Sequence, residues 1–288
     1  YHGGELILSK SPFLSYELLY RIDLKIELVL PLRIGSGRND TSPVEPELPV
    51  IKDVQDRPII PGSSLKGFFR ANTLRLLNGL SASHSAIVNV VFGDSSCHAS
   101  CLHFSDLSMT SGKVGTRKHI GIDLQTGAGD NGRLFEVEMV AEGSVFEGLA
   151  IRGRNLNPVL LGLIHAVKSL CNNGVCRLGG FKSRGYGHVK MNVTRLDIEV
   201  PCVSLDAIAK GIRRKTSVSM GGVQEVQLAA VRNGIKFGAG ADLEFPCTVE
   251  MAPEILGVRI RLSEPERFLE SMANILQRQL PTARQGGD

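Results

Sequence analysis

The chain contains no tryptophan and only four tyrosines. A broad platform of aromatic rings for stacking nucleobases is therefore not expected, and any nucleic-acid binding should lean on backbone contacts. No apolar run reaches the ~18 residues that span a bilayer, and no signal-peptide pattern is present. The first residue is Tyr1 rather than Met, so a few residues are expected to precede it. Six cysteines are spread unevenly: Cys97 with Cys101, Cys171 with Cys176, and Cys202 and Cys247 alone. That is no secreted disulfide framework at this length. A cytoplasmic protein without a membrane partner is the expectation. The phosphate-binding pattern G-x-x-x-x-G-K-S/T and the zinc-protease pattern H-E-x-x-H are also missing. No Ser, His and Asp stand out as a nucleophilic triad. The formal net charge of +4 permits a polyanionic partner without requiring one.

What is present is core-forming. Hydrophobic residues make up 42% of 288 positions, enough for one elaborate domain or two ordinary ones. Residues 20–30 alternate, with Ile22, Leu24, Ile26, Leu28 and Leu30 on one face, which predicts a half-buried strand. Five prolines between 43 and 61 predict an extended loop. A helix is expected to start at Ser63 or Ser64, with an apolar stripe of Leu65, Phe68, Phe69, Leu76, Leu77 and Leu80, and to end near Gly79. Residues 81–133 read as an irregular polar insertion. A strand follows through Phe135, Val137 and Met139. Asn157, Pro158 and Gly174 bracket a second helix over 158–171. In the last core strand the apolar phase shifts after Thr194-Arg195, which predicts a β-bulge. Beyond 203 a helix, a strand near "GVRIRL" and a final helix over 264–280 are expected. The order suits an α+β, ferredoxin-like core of β-α-β-β-α-β type. It spans residues 1–202, with the insertion at about 81–133 and a C-terminal extension over 203–288.

Three segments carry candidate chemistry. In "PIIPGSSLKG" a helix start combines free amides, Ser63, Ser64 and Lys66, which fits a phosphate site or an ordinary capped helix. In "GGFKSRGYGHVKM" the run Arg184 to Met191 nearly matches the octapeptide K/R-G-F/Y-G/A-F-V-x-F/Y of base-stacking strands. It lies after the second helix rather than before it, and His188 takes an aromatic position. A glycine-rich loop tracking phosphates through Lys182 and Arg184 fits better, with Tyr186 as a stacking or packing residue; a plain flexible connection also fits. In "CHASCLH", Cys97, His98, Cys101 and His103 are four zinc-competent ligands in seven residues, with His84 as another candidate. Zinc there would staple the insertion rather than catalyse; chance clustering is the alternative. Cys171 and Cys176 flank a helix end and read as buried thiols.

Three stretches together resemble the RAMP proteins of CRISPR systems: "ELPVIKDVQDRPIIPGSSLKGFFR", "HIGIDLQTGAGDNGRLFEVEMVAEGSVFEG" and "LGGFKSRGYGHVKM". Within them the chain is most similar to the repeated backbone subunit, the third Csm protein, of type III-A effector complexes. The likeness covers roughly residues 20–200. It implies an RNA-recognition-like ferredoxin core, a thumb-like hairpin beginning at 122–127, and copies of the chain packed helically along guide RNA beside other effector subunits. It makes Lys52, Arg57, Ser63, Ser64, Lys66 and Arg70 candidate guide-RNA contacts, together with Lys182, Ser183, Arg184 and Tyr186. Family members that cut target RNA carry an acid, usually Asp, before "PVIKD"; here Glu47 stands there, with Asp40 and Glu45 nearby. Such an acid would hold a divalent metal such as magnesium, or take a proton. Glu is one methylene longer, so cleavage does not follow from the likeness. Two other functions are open: a standalone, metal-independent endoribonuclease that processes guides through a histidine such as His188, or a zinc-stapled structural subunit without RNA contact.

Overall fold

The computed structural model describes residues 15–38, 46–78, 85–94, 99–122, 125–126, 128–216, 224–231, 234–238 and 242–280. The chain opens with β1 (Leu19–Leu28), the short β2 (Ile59–Ile60) and α1 (Gly62–Asn78). Then come α2 (Ser85–Phe92), β3 (Leu102–Phe104), β4 (Leu107–Ser111), β5 (Val114–Ile122), β6 (Gly129–Val140) and β7 (Val145–Arg154). Next are α3 (Gly162–Asn172) and β8 (Val189–Val200). The extension holds α4 (Leu205–Lys210), β9 (Ile212–Thr216), β10 (Gln224–Val231), β11 (Gly234–Gly238) and β12 (Asp242–Phe245). It ends with β13 (Cys247–Ala252), β14 (Gly257–Leu262) and α5 (Pro265–Gln279). Among the described residues no helix is long and apolar enough to cross a membrane.

The main sheet runs β13-β14-β8-β1-β7-β4-β2, with β3 also pairing β7. Its neighbours are antiparallel. Within it β1, α1, β4, β7, α3 and β8 follow the β-α-β-β-α-β order, so the core is ferredoxin-like. The alternation of β1 is the cause of its central place. Tyr20, Ile22, Leu24, Ile26 and Leu28 are buried, and the residues between them face the other side. Helices α1, α3 and α5 cover the apolar face. The bulge in β8 is present: Leu24 pairs Val193 and Asp23 pairs Arg195, which leaves Thr194 over.

The opposite face of this sheet carries charge rather than rings. Asp197 lies across from Arg21 and Arg261, and Glu199 across from Arg259. Asp197 is fully buried and accepts from Arg195 at 2.5 and 2.9 Å and from Arg261 at 3.1 Å. Arg259 reaches Glu199 at 2.8 Å. Burying carboxylates is tolerated only when they are paired in this way.

Three expectations are corrected. The described residues of 81–133 are not irregular: they form α2, β3, β4, β5 and the start of β6. The β5–β6 hairpin is a sheet of its own, and no residue of β5 is fully buried, so it shows no alternating apolar pattern. Next, the run at 134–140 is a strand as expected, but the strand beside β1 is β7, which the sequence pattern does not reveal. That run is β6, the partner of β5. A bulge at Ala150 breaks the phase of β7 and hides it: Ile22 pairs Ile151 while Asp23 pairs Leu149. Finally, the extension holds more than helices and one strand. β9–β12 form their own sheet, and β14 pairs β8, extending the core sheet. Gly79 and Leu80 lie outside the described residues.

Candidate functional site

The glycine loop between α3 and β8 rests on the segment after β1. Gly187 N donates to Pro31 O at 2.8 Å, Leu178 N to Gly187 O at 2.9 Å, and Gly180 N to Arg33 O at 2.8 Å. Gly179 (φ +77) and Gly187 (φ +80) are left-handed, and a Cβ on either would strike a carbonyl oxygen, that of Arg33 or of Leu178. These two glycines let chain approach chain; they are not open to a phosphate, as the sequence suggested. Gly185 (φ +86) faces open space. Between Phe181 and Gly185, residues Lys182–Arg184 make one 3-10 turn and are exposed.

Behind that turn lies a cluster of rings and cations. Tyr186 is fully buried, and its hydroxyl is 2.8 Å from His119 Nε2 on β5. Of its two sequence readings, packing is the one observed. His119 stacks with Phe135 and with Phe181, ring centroids 5.6 Å apart in each case. Arg33 and Arg184 lie over Phe181 at 5.2 and 5.1 Å, and Arg117 lies over Tyr186 at 5.6 Å. Burial first, then the charges of Arg184 and Arg117, hold His119 below its ordinary pKa. Burial likewise lowers Arg33. Sequence reasoning missed Arg33, Arg117, His119, Phe135 and Phe181. The available signal was the two-residue spacing of Arg117 and His119, but only the β5–β6 register sets Phe135 opposite His119.

The start of α1 is already partnered. Gly62 N donates to Asp106 Oδ1 at 2.7 Å, which supplies an internal anion at the helix N-terminus. Gly62 is glycine because a Cβ would strike the Phe104 carbonyl. Ser63 is exposed, and Ser64 and Lys66 are half-buried. Arg70 donates to Gly93 O and, at 3.3 Å, to Asn89 Oδ1, bracing the end of α2. Lys66 and Arg70 line a groove of about 490 Å³ with Phe92 and Ser100. Lys52 pairs Glu138 at 3.0 Å and Asp56 at 3.4 Å. Glu138 also accepts from Val50 N at 2.8 Å, so this pair ties the loop to β6. Arg57 pairs Asp53 at 2.8 Å. Lys52, Arg57 and Arg70, expected at RNA, are thus held in internal contacts.

Glu47 is half-buried, 3.5 Å from Arg38, and lines a groove of about 410 Å³ with Phe135 and Phe181. The groove therefore abuts the His119 cluster. Asp40 and Glu45 lie outside the described residues, as do Asp123, Leu124 and Gly127 at the expected thumb start. Cys97, His98 and His84 lie outside them too. Cys101 is buried in the hydrophobic core, whereas His103 is exposed, 3.4 Å from Arg154. Among the described residues no three His, Cys, Asp or Glu are gathered for a metal. His188 Nε2 lies 3.5 Å from Asn172 O, beside the end of α3 rather than among cations.

On the far side of the exposed turn is a third groove, of about 680 Å³, whose cations are Arg75, Arg177 and Lys182. The turn thus stands between two cation-bearing hollows.

Residues 25–190 match the profile of the RAMP superfamily. The chain belongs to the RAMP superfamily. The matched span of this RAMP protein runs from within β1 to the first residues of β8 and includes α1, the hairpin and the glycine loop. Two solved structures similar to it are described as type III-B Cmr-beta, by cryo-electron microscopy. For the apo state the identity is 15% and the TM-score 0.45, covering 60% of this chain and 97% of that one. For the form bound to cognate target RNA the identity is 15% and the TM-score 0.46, covering 62% and 98%. No curated protein sequence matches the chain.

Proposed function

We propose that this RAMP protein is an RNA-binding backbone subunit of a CRISPR type III effector complex, of the kind repeated in type III-A complexes. It holds single-stranded guide RNA through the phosphates, stacks with copies of itself and with other effector subunits, and meets target RNA along the guide. One observation supports this most: Lys182, Ser183 and Arg184 are exposed on one turn, with Arg33 and Arg117 behind it and a cation-lined groove on its far side. Lys66, Ser63 and Ser64 supply a second contact region. Tyr186, Lys52 and Arg70 shape the surface from beneath, and Arg57 is exposed beside Asp53.

Binding of this kind is sequence-tolerant and falls steeply with salt. A labelled single-stranded RNA is titrated at several salt concentrations against a neutral polymer of the same size. Tight binding of the RNA alone, with a negative salt slope, supports the reading. Equal behaviour of the two polymers at low salt ends it.

Target cleavage at Glu47 is a narrower proposal. A magnesium ion takes near-octahedral oxygen ligation, and Glu47 is the one carboxylate lining its groove among the described residues, already paired with Arg38. The described residues do not make a magnesium site by themselves. In the assembled complex, loss of target cleavage in Glu47→Ala with guide binding intact is the expected outcome. Undiminished cleavage removes Glu47 from the chemistry. Zinc at Cys97, His98, Cys101 and His103 is a separate proposal. Its two described donors differ in surroundings, Cys101 in the core and His103 at the surface, so the fit depends on Cys97 and His98. Metal analysis of the purified chain, with and without Cys97→Ser, decides it.

A further inference from the structure

The end of α3 turns back on itself. Gly174 N donates to Cys171 O and Val175 N to Leu170 O, each at 2.9 Å, with Gly174 left-handed at φ +74. This is the paired bonding of a Schellman motif. The reversal carries Cys176 back onto the last turn of α3, where its Sγ lies 3.9 Å from Val167 O, the carbonyl one turn before Cys171. Cys171 is fully buried, its Sγ 3.6 Å from Val189 O. Cys176 is half-buried and lines the groove of about 680 Å³, with Arg75, Arg177 and Lys182. No carboxylate is among the described residues lining that groove.

The two thiols are therefore unequal. Its interaction with the Cys171 thiol holds Cys176 below the ordinary thiol range; burial works against this, and the charges of Lys182 and Arg75 add to it. The same interaction, then burial, pushes Cys171 up. A thiolate beside cations in an open groove is the form that reacts. A buried thiol in contact with it is placed to close a disulfide.

We propose that Cys176 is a peroxide-reactive thiol and Cys171 its resolving partner, making this turn an oxidative modification site beside the glycine loop. The Cys176 thiolate attacks one peroxide oxygen. A sulfur–oxygen bond forms, the oxygen–oxygen bond breaks, and the departing hydroxide or alkoxide takes up a proton. Cys171 sulfur then attacks Cys176 sulfur. The disulfide forms, the sulfur–oxygen bond breaks, and the hydroxide leaves as water with the Cys171 proton. Two thiols lose two electrons, and the peroxide is reduced to water plus an alcohol or a second water. The next residue, Arg177, donates to Lys182 O at 3.1 Å, so the disulfide would sit beside a brace of the exposed turn. The chemistry does not rest on RNA binding.

The test uses the full reduced chain, hydrogen peroxide and peptide mapping by mass spectrometry. A 171–176 disulfide is expected to form and to reverse with a dithiol reductant. Before oxidation, iodoacetamide should alkylate Cys176 roughly tenfold faster than Cys202, although Cys202 is the more exposed. In Cys171→Ser the sulfenic acid should persist at Cys176 and be trapped by dimedone. Should that variant not fold, the unmodified chain still decides. Oxidation only at Cys202 or Cys247, or alkylation of Cys176 no faster than Cys202, overturns the proposal.

Discussion

His119 Nε2 and the Tyr186 hydroxyl are 2.8 Å apart, and at this contact the β5–β6 hairpin meets the glycine loop. The contact joins a strand with no fully buried residue to a residue that is fully buried. Such a hairpin has little core of its own, so its orientation depends on attachments of this type.

This joint should weaken in acid. The folded pKa of His119 lies below its ordinary 6.5, as do those of His103 and His165. Above about 6.5 the rings are neutral in both states and the contact is complete. As pH falls below that value the unfolded chain binds more protons, and folding stability is lost. Urea midpoints should drop between about pH 7.5 and about 5.5, and His119→Gln should flatten the slope. A flat profile in the unmodified chain would rule this out. Tyr186→Phe should cost about 1 kcal/mol at neutral pH.

The basic residues should divide into two classes. Lys182→Ala and Arg184→Ala remove exposed cations, so each should weaken RNA binding across all sequences and cut the salt slope by about one. Lys52→Ala and Arg57→Ala break internal pairs, so the first effect should be a lower unfolding midpoint, with the salt slope kept. Measuring affinity against salt and stability on the same four variants tests the division. Equal loss of salt slope in both pairs would contradict it.

The glycines of the loop should not be equivalent. Gly185→Ala meets open space and suffers only its positive φ, at a cost of roughly 1–2 kcal/mol. Gly187→Ala meets the Leu178 carbonyl as well. It should therefore be the worse by thermal unfolding, and should disturb the loop rather than merely weaken it. Equal midpoints for the two would be the wrong outcome.

Asp197→Ala should be strongly destabilising. It leaves Arg195, Arg259 and Arg261 facing one another across a buried position. Removing one partner of a buried pair costs about 3–5 kcal/mol, here toward the lower end because the arginines reach solvent. Burial alone would raise the Asp197 pKa, but the hydrogen bonds from Arg195 and Arg261 outweigh it and hold it below 3.8. That stability is present above the ordinary value and is lost as pH falls through the lower, folded one. Urea unfolding at neutral pH and in acid measures both effects.

Much of the core was legible in local pattern. The strict alternation of β1 depends on a two-residue period, and one solvated face and one buried face impose it. Asn157 accepts from Val159 N at 3.0 Å, and Gly174 closes the Schellman turn, so both ends of the second helical segment were readable. The bulge at Thr194 showed as a phase shift. β7 was not readable, because its own bulge breaks the period. Nor was β5, because none of its residues is fully buried and the two that meet Tyr186, Arg117 and His119, are polar.

The sequence by itself determined β1, α1, the helical segment at α3, β8 and α5, because those signals act over a few neighbouring residues. It also brought Lys182 and Arg184 together on one turn. Only the tertiary structure decided which cations are committed inside the fold. Lys52 meets Glu138, Arg70 meets the end of α2, and Asp106 meets the first amide of α1. It also decided that Tyr186 is buried and that His119 is its partner. These pairings join residues far apart in the chain. Strand register sets them, and register follows from burying the whole core at once rather than from any short run of residues.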